Sequence, residues 1–268
     1  MFIQPMLLDK SNEPFNDDNF ITELKLDGFR LLLSKFEHKV KLYTRHGNEV
    51  TSLFKNLISI DIPDGTILDG EFIVPGKNGA PDFEATMEVF RSLKSTHFYQ
   101  FCIFDIIYLN HEKVAQKPLW ERKELLNSLA IEHEHIVVSK WMYGHGIEYF
   151  KLTQEQGLEG IVLKEKNSPY EHKRSKHWIK VINYQYDFVD IVGLRKEEFG
   201  WLLAFKEGRP AGIMEFVPPK EKQVLHSDKR VRNEDHKYIY IEPVPCWVKY
   251  RNLTKNNMLR IPSFHSWN

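Results

Sequence analysis

The sequence predicts an α+β fold in two domains, on three observations. Strand-like runs rich in Ile, Val, Phe and Tyr alternate irregularly with helical patterns up to about residue 185. Beyond that point short strands separated by turn residues take over. No glycine-rich phosphate loop follows the first strand, which argues against a doubly wound nucleotide fold. With 268 residues, 42% of them hydrophobic, the chain can build two cores.

The elements follow in order. Phe20, Ile21 and Leu24 form an apolar, strand-like run that leads into Lys25. Further strands are expected at Val40–Arg45, Thr66–Val74, Gln100–Leu109, Gly160–Lys164 and Trp178–Ile182. Helical spacing falls at Val50–Ile60, Phe83–Leu93, Trp120–Ala130 and Ile147–Gly157. These make a first domain over residues 1–185. In residues 186–268 the strands are Phe188–Gly193, Trp201–Phe205, Gly212–Val217, Tyr238–Glu242 and Trp247–Tyr250. Gly200, Gly208-Arg209-Pro210 and Pro218-Pro219 separate them. Five short strands in so few residues suit a small Greek-key barrel such as the OB-fold. The boundary is expected near Asn183–Asp187.

Composition narrows the setting. Lys plus Arg and Asp plus Glu balance at 37 each, so no global basic field announces a nucleic-acid partner, although local patches can still steer one. Cys102 and Cys246 lie far apart and form no CxxC pair, which argues against a zinc module and suits a reducing compartment. The start Met1-Phe2-Ile3-Gln4-Pro5 lacks a basic region followed by an apolar core. No apolar run approaches the roughly 20 residues that span a bilayer. The expectation is a cytoplasmic monomer without a membrane partner.

Chemistry concentrates in six short motifs. Lys25-Leu26-Asp27-Gly28-Phe29-Arg30 sets a lysine beside a carboxylate, a glycine and an arginine. A lysine is a poor nucleophile at neutral pH, because its ordinary pKa is about 10.4. A site that lowers that value can use the amine for covalent catalysis. Thr44-Arg45-His46-Gly47 ends a strand in a turn, Asp69-Gly70-Glu71 sits inside an apolar run, and so does Phe104-Asp105. Glu159-Gly160-Ile161-Val162-Leu163-Lys164 opens a strand with a carboxylate and closes it with a lysine, and Trp178-Ile179-Lys180 adds another lysine. Taken singly, each has a plain structural reading: a turn, an exposed strand-end charge, a core phenylalanine. Their succession in one chain is what carries weight.

In this order the motifs resemble those of ATP-dependent DNA ligases. These belong to the covalent nucleotidyltransferase superfamily, with RNA ligases and mRNA-capping enzymes. The resemblance spans nearly the whole chain. It begins at Gln4-Pro5-Met6-Leu7 and includes Pro118-Leu119 with Arg122, and Ser168-Pro169-Tyr170 with Arg174-Ser175. It closes in Val248, Tyr250, Thr254 and Leu259-Arg260-Ile261-Pro262-Ser263-Phe264. It implies an adenylation (nucleotidyltransferase, ATP-grasp-like) domain followed by an OB-fold barrel. It also implies the sealing of nicks in double-stranded DNA, as replication, repair and recombination require.

The resemblance also implies roles. Lys25 would attack the α-phosphate of ATP and become lysyl-AMP, and Asp27 would orient it. Glu23 would face the base edge and Phe104 would stack on adenine. Arg30 and Arg45 would hold the ribose and later the nicked end. Glu71 would contact the ribose and, with Glu159, help to bind Mg²⁺ or Mn²⁺. Lys164 and Lys180 would contact the α-phosphate, and by crowding Lys25 would lower its pKa. Arg174, Arg230, Arg232, Lys249, Arg251 and Arg260 would meet DNA phosphates, with Trp201 and Lys206 beside them in the second domain.

Two comparisons within the superfamily refine this expectation. NAD-dependent ligases carry a module before the lysine and a zinc module after the barrel. Here 24 residues precede Lys25 and the cysteines form no cluster, so ATP is expected. Family ligases also end in an Arg-x-Asp-Lys segment that orients pyrophosphate. Here Arg260–Phe264 is followed by His265-Ser266-Trp267-Asn268 without that Asp and Lys, a departure that bears on charging by ATP more than on nick binding or on sealing by preformed enzyme-adenylate. The alternatives are an RNA ligase, a capping-type nucleotidyltransferase, and a weakly active ligase-like nick-binding protein.

Overall fold

The computed structural model describes residues 1–77, 79–92 and 94–267. Leu93, the last residue of the expected helix Phe83–Leu93, lies outside the described residues, as does Asn268 at the end of the second domain. The chain divides into two compact units, Met1–Ile182 and Asn183–Asn268.

The first unit contains β1 (Leu7–Ser11), β2 (Phe20–Leu24), β3 (Phe29–Phe36), β4 (Lys39–Thr44), β5 (Thr66–Ile73), α1 (Phe83–Arg91) and β6 (Gln100–Leu109). It continues with β7 (Glu112–Lys113), α2 (Leu119–Ser128), β8 (Ile136–Val138), β9 (Trp141–Tyr143), α3 (Gly146–Glu155), β10 (Gly160–Glu165) and β11 (Arg174–Ile182). Two sheets form. One has the order β1-β11-β10-β2-β9; the other runs β4-β3-β5-β6-β7, with β8 added parallel to β6. Alternation along β3 shows how they stack. Leu31 and Leu33 enter a core with Leu68, Phe72 and Ile103. Leu32, on the opposite face, joins Ile21, Ile67, Phe104 and Trp178, which come from both sheets. Both faces of β3 are therefore buried.

The helices are set by local chemistry and by their buried stripes. Asp82 caps α1 by accepting from Ala85 N at 2.9 Å, with Glu84 in the first turn and Arg91 in the last. α2 buries Leu119, Arg122, Lys123 and Leu126, one stripe at helical spacing that includes two cations. The expected helix Val50–Ile60 is instead a pair of 3₁₀ turns, Thr51–Leu53 and Lys55–Leu57. Phe54 and Leu57 are fully buried there, so the apolar residues do face the core, but the segment turns too tightly for an α-helix.

The second unit contains β12 (Gln185–Arg195), β13 (Trp201–Ala204), β14 (Pro210–Met214), α4 (Pro219–Asp228), β15 (Val231–Glu234), β16 (Tyr238–Tyr250) and β17 (Ser263–Trp267). The sheet runs β14-β13-β12-β16-β15, and β17 pairs with β16. A parallel bridge between Phe216 and Ser263 closes the ring, with Phe264 N donating to Phe216 O at 2.9 Å. Val189, Ile191, Leu203, Met214, Ile241 and Val248 fill the interior. The expected strands Tyr238–Glu242 and Trp247–Tyr250 are one strand. β16 shifts register against β12 between Ile191 and Gly193, and Pro243 falls in that bulge, which tolerates proline. Trp201, expected beside DNA, is 3% exposed in the barrel core.

Candidate active site

The inner face between the two sheets of the first unit gathers charged side chains, and burial makes them pair. β2 ends at Leu24 and hands the chain to Lys25, whose backbone N–H donates to Gly160 O at 3.0 Å and so ties the turn to β10. Gly28 lets that turn lie against β5: an added Cβ would stand 2.0 Å from the Phe72 carbonyl oxygen. Lys25 Nζ reaches Glu159 Oε2 at 2.7 Å, the lysine side chain being 17% exposed and the glutamate 3%.

Lys25, Glu23, Arg30, Glu71, Phe104 and Lys164 line one cleft with Leu8, Val162 and Trp178. Six of the sequence-predicted residues thus come together, and Glu159 joins them through Lys25. Arg30 is held by Asp69, a fully buried carboxylate that also accepts from Tyr170 Oη at 2.6 Å. Although burial works against the charge, Asp69 keeps the Arg30 guanidinium above its ordinary pKa. Arg30 Cζ lies 4.5 Å from the centre of the Phe104 ring, and Lys164 Nζ lies 4.3 Å from it. The ring expected to stack on adenine is therefore covered by two cations, an arrangement worth about 0.5–2 kcal/mol for each.

Glu23 accepts from Lys164 Nζ at 2.8 Å and pairs with Lys123. Burial opposes the Glu23 charge, but the two ammonium groups hold its pKa below the usual value. Lys164 shifts the other way. Burial lowers it to about 8, assisted by the Lys123 charge and resisted by Glu23. Glu71 is pushed up to about 7 by burial, with Asp69 and Asp27 adding to the rise and Lys25 and Arg30 opposing it. Burial also lowers Lys180, and the positive charges of Lys25, Arg174 and Arg45 lower it further. The expected crowding of lysines around Lys25 is thus divided. Lys180 feels its charge, while Lys164 is turned to Glu23.

Two further predicted residues of the first unit, Arg45 and Arg174, do not line the cleft. Arg45 is exposed in the turn after β4, and Arg174 is exposed while donating to Leu8 O. In the second unit Arg230 is exposed, and Arg232 pairs with Glu242 at 3.0 Å on the surface. Lys249 lies 4.9 Å over the Tyr184 ring, and Arg251 is half-buried. Arg260, expected at a DNA-facing surface, is 9% exposed and donates to Asn252 Oδ1 at 3.3 Å. It braces a loop, because its backbone N–H and carbonyl also bond Asn252 and Arg251.

Sequence reasoning gave no role to three residues of this site. Lys123 donates to the Phe104 carbonyl at 2.7 Å and pairs with Glu23, so it joins β6 to β2. Asp69 positions Arg30. Trp178, fully buried, flanks Lys164 at 4.1 Å, and its indole N–H has no hydrogen-bond partner among the described residues. Lys123 is spaced four and three residues from the buried Leu119 and Leu126, and a lysine on that buried face must find a partner.

A family model described as "ATP dependent DNA ligase domain" matches residues 5–181. The SPbeta prophage-derived DNA ligase-like protein LigB of Bacillus subtilis (strain 168) is 54% identical over 268 residues, covering 100% of this chain and 99% of the relative. A structure from a study of Lig E DNA ligases, which bind DNA with a minimal scaffold, aligns with a TM-score of 0.73 at 18% identity, covering 100% of both chains. Mycobacterial DNA ligase D complexed with ATP and MES aligns with a TM-score of 0.62 at 22% identity, over 99% of this chain and 95% of that one. At such identities the structural matches show the fold: an α+β adenylation domain followed by a β-rich OB-like domain.

Proposed function

The chain belongs to the ATP-dependent DNA ligase family, of the minimal adenylation-plus-OB type, and on that premise we propose that it seals nicks in duplex DNA through lysyl-AMP. The observation that carries this reading is Lys25. Its amine is partly exposed in the cleft, is hydrogen-bonded to Glu159 and stands within the field of Glu71.

In the first step Lys25 Nζ attacks the α-phosphorus of ATP. A nitrogen–phosphorus bond forms, the bond to the bridging oxygen breaks, pyrophosphate leaves, and the lysine proton passes to solvent. In the second, an oxygen of the 5′-phosphate attacks that phosphorus and releases Lys25. In the third, the 3′-hydroxyl attacks the activated 5′-phosphate and AMP leaves. Such transfers depend on positioning and charge neutralisation more than on covalent chemistry by the protein.

The other residues take roles in this scheme. Asp27 orients the amine. Phe104 offers a flat apolar face for adenine. Adenine entering there replaces the Lys164 ammonium, which can then meet the α-phosphate with Lys180. Glu23 turns to the base edge, while Arg30 and Arg45 hold ribose and nicked end. Glu71 and Glu159 are the hard oxygen donors that would hold a Mg²⁺ or Mn²⁺ ion, with water supplying the other ligands. Such an ion would supply positive charge to the phosphates and leaving group. Arg174, Arg230, Arg232, Lys249 and Arg251 supply phosphate contacts. The protein acts as a cytoplasmic monomer in this reading.

The test is sealing of a nicked duplex with ATP and Mg²⁺, run beside nicked RNA and beside GTP. Sealed DNA with ATP supports the proposal. Preference for RNA or GTP would assign the chain to the RNA-ligase or capping branch. Nick binding with no turnover would make it a ligase-like nick-binding protein.

A further inference from the structure

We propose that the outer face of the β12–β16 pair is a stacking platform for unpaired bases of single-stranded DNA. Alternation along the two strands sets inside from outside. Val189 and Ile191, and Cys246 and Val248, point into the barrel core. The opposite parity brings Tyr186 and Phe188 of β12 to the outside, with Trp247 and Lys249 of β16 beside them. Register pairs Tyr186 with Lys249 and Phe188 with Trp247. Tyr184, two residues before Tyr186, extends the row.

Two ring pairs form, and Tyr184, Tyr186 and Trp247 remain open to solvent while Phe188 is half-buried. The Phe188 and Trp247 rings lie 5.3 Å apart, and Tyr186 lies 4.8 Å from the His265 ring. Tyr184 is 36% exposed, Trp247 40% and Tyr186 50%. Several large aromatics exposed on one small face mark a binding surface.

Charge selects the partner. Lys249 Nζ lies 4.9 Å over the Tyr184 ring and Lys206 Nζ 4.7 Å over Phe188. Ammonium groups are thus interleaved with the rings, the arrangement that reads a polyanion carrying flat bases. Residues 183–268 hold fourteen Lys and Arg against eleven Asp and Glu, although the whole chain is balanced. One carboxylate, Asp190, follows on the same row opposite Pro245. Bases inside a duplex are covered by their neighbours, so open rings of this kind fit bases that are unpaired, at a gap, a flap or a frayed end. The platform lies on β12 and β16 and borders the β13–β14 pair, whose turn supplies Lys206; that pair corresponds to the usual oligonucleotide face of an OB-fold. The choice of DNA as the polymer rests on the nick-sealing function proposed above; the stacking geometry does not.

The experiment is fluorescence anisotropy of labelled oligo-thymidylate with the full chain at low salt, with a blunt hairpin duplex as competitor. Tyr186→Ala and Trp247→Ala should each weaken oligo-thymidylate binding about tenfold, while Trp247→Phe, which keeps a ring, retains most of it. Lysyl-AMP formation should be unchanged in all three. Wild-type affinity in both alanine variants overturns the platform, as does a failure of the wild type to bind oligo-thymidylate. So does self-association that Trp247→Ala abolishes without any oligonucleotide binding, since the face would then join copies of the chain. Oligo-thymidylate binding that needs Tyr186 and Trp247, in a protein that forms no lysyl-AMP, would sink the ligase reading and leave the platform standing.

Discussion

The two units treat charge in opposite ways. The first buries Glu23, Asp69, Asp105, Arg122, Lys123 and Lys164, and couples them in pairs and triads. In the second, Arg260 is the one charged residue among those described that is comparably buried. The other barrel charges stay at or near the surface around an apolar core. Buried ion pairs add little net stability, because desolvation offsets their attraction. What they do is fix groups with shifted pKa values in defined places, as chemistry on a phosphate requires. The barrel, whose charges are spread over its surface, is suited to contact rather than to reaction.

Four variants break or sharpen this contrast. The largest effect is at Lys25. Lys25→Ala should abolish covalent AMP labelling while thermal unfolding stays two-unit and native-like; label that remains on the variant would remove Lys25 from the mechanism. Next comes Arg122, whose guanidinium grips Asp105 with both groups fully buried. Arg122→Met leaves that carboxylate uncompensated and should cost about 3–5 kcal/mol in denaturant unfolding of the first unit.

The third is a pH dependence. Lys164 falls to about 8 in the folded chain from the ordinary lysine value of 10.5. Between those values the unfolded chain holds a proton that the folded chain has released, so stability should rise with pH across this window. The gain is about 3 kcal/mol in all, fully absent below pH 8. Lys164→Met should flatten that slope, which denaturant melts at graded pH would read. The smallest effect is in the barrel. Arg232→Ala breaks an exposed pair with Glu242 and should change stability by less than about 1 kcal/mol.

Part of the first unit was legible in the sequence, where strands are apolar and bounded by turn residues; β1, β3 and the short β7, β8 and β9 were not. β6 follows the expected Gln100–Leu109, and α1, α2 and α3 lie within two residues of the expected starts. The region around Val50 misled because a buried 3₁₀ segment carries the same apolar residues as a helix. In the barrel, α4 opens on Pro218-Pro219, which reads as a turn from sequence but is also a pre-organised helix start. For the site, six of the residues singled out by the motifs line one cleft. It could not give the pairings inside it, since Lys123 with Glu23 and Arg30 with Asp69 join residues far apart in the chain. That the Phe104 ring is covered by Arg30 and Lys164 depends on side-chain packing, which no motif encodes.

The most direct measurement is incubation of the purified protein with α-labelled ATP and Mg²⁺, followed by denaturing electrophoresis with and without nicked duplex. The account predicts a labelled protein band that depends on Lys25 and disappears as the nick is sealed. Protein that takes up no label and seals no nick, after any preformed adenylate has been discharged with pyrophosphate, would contradict it.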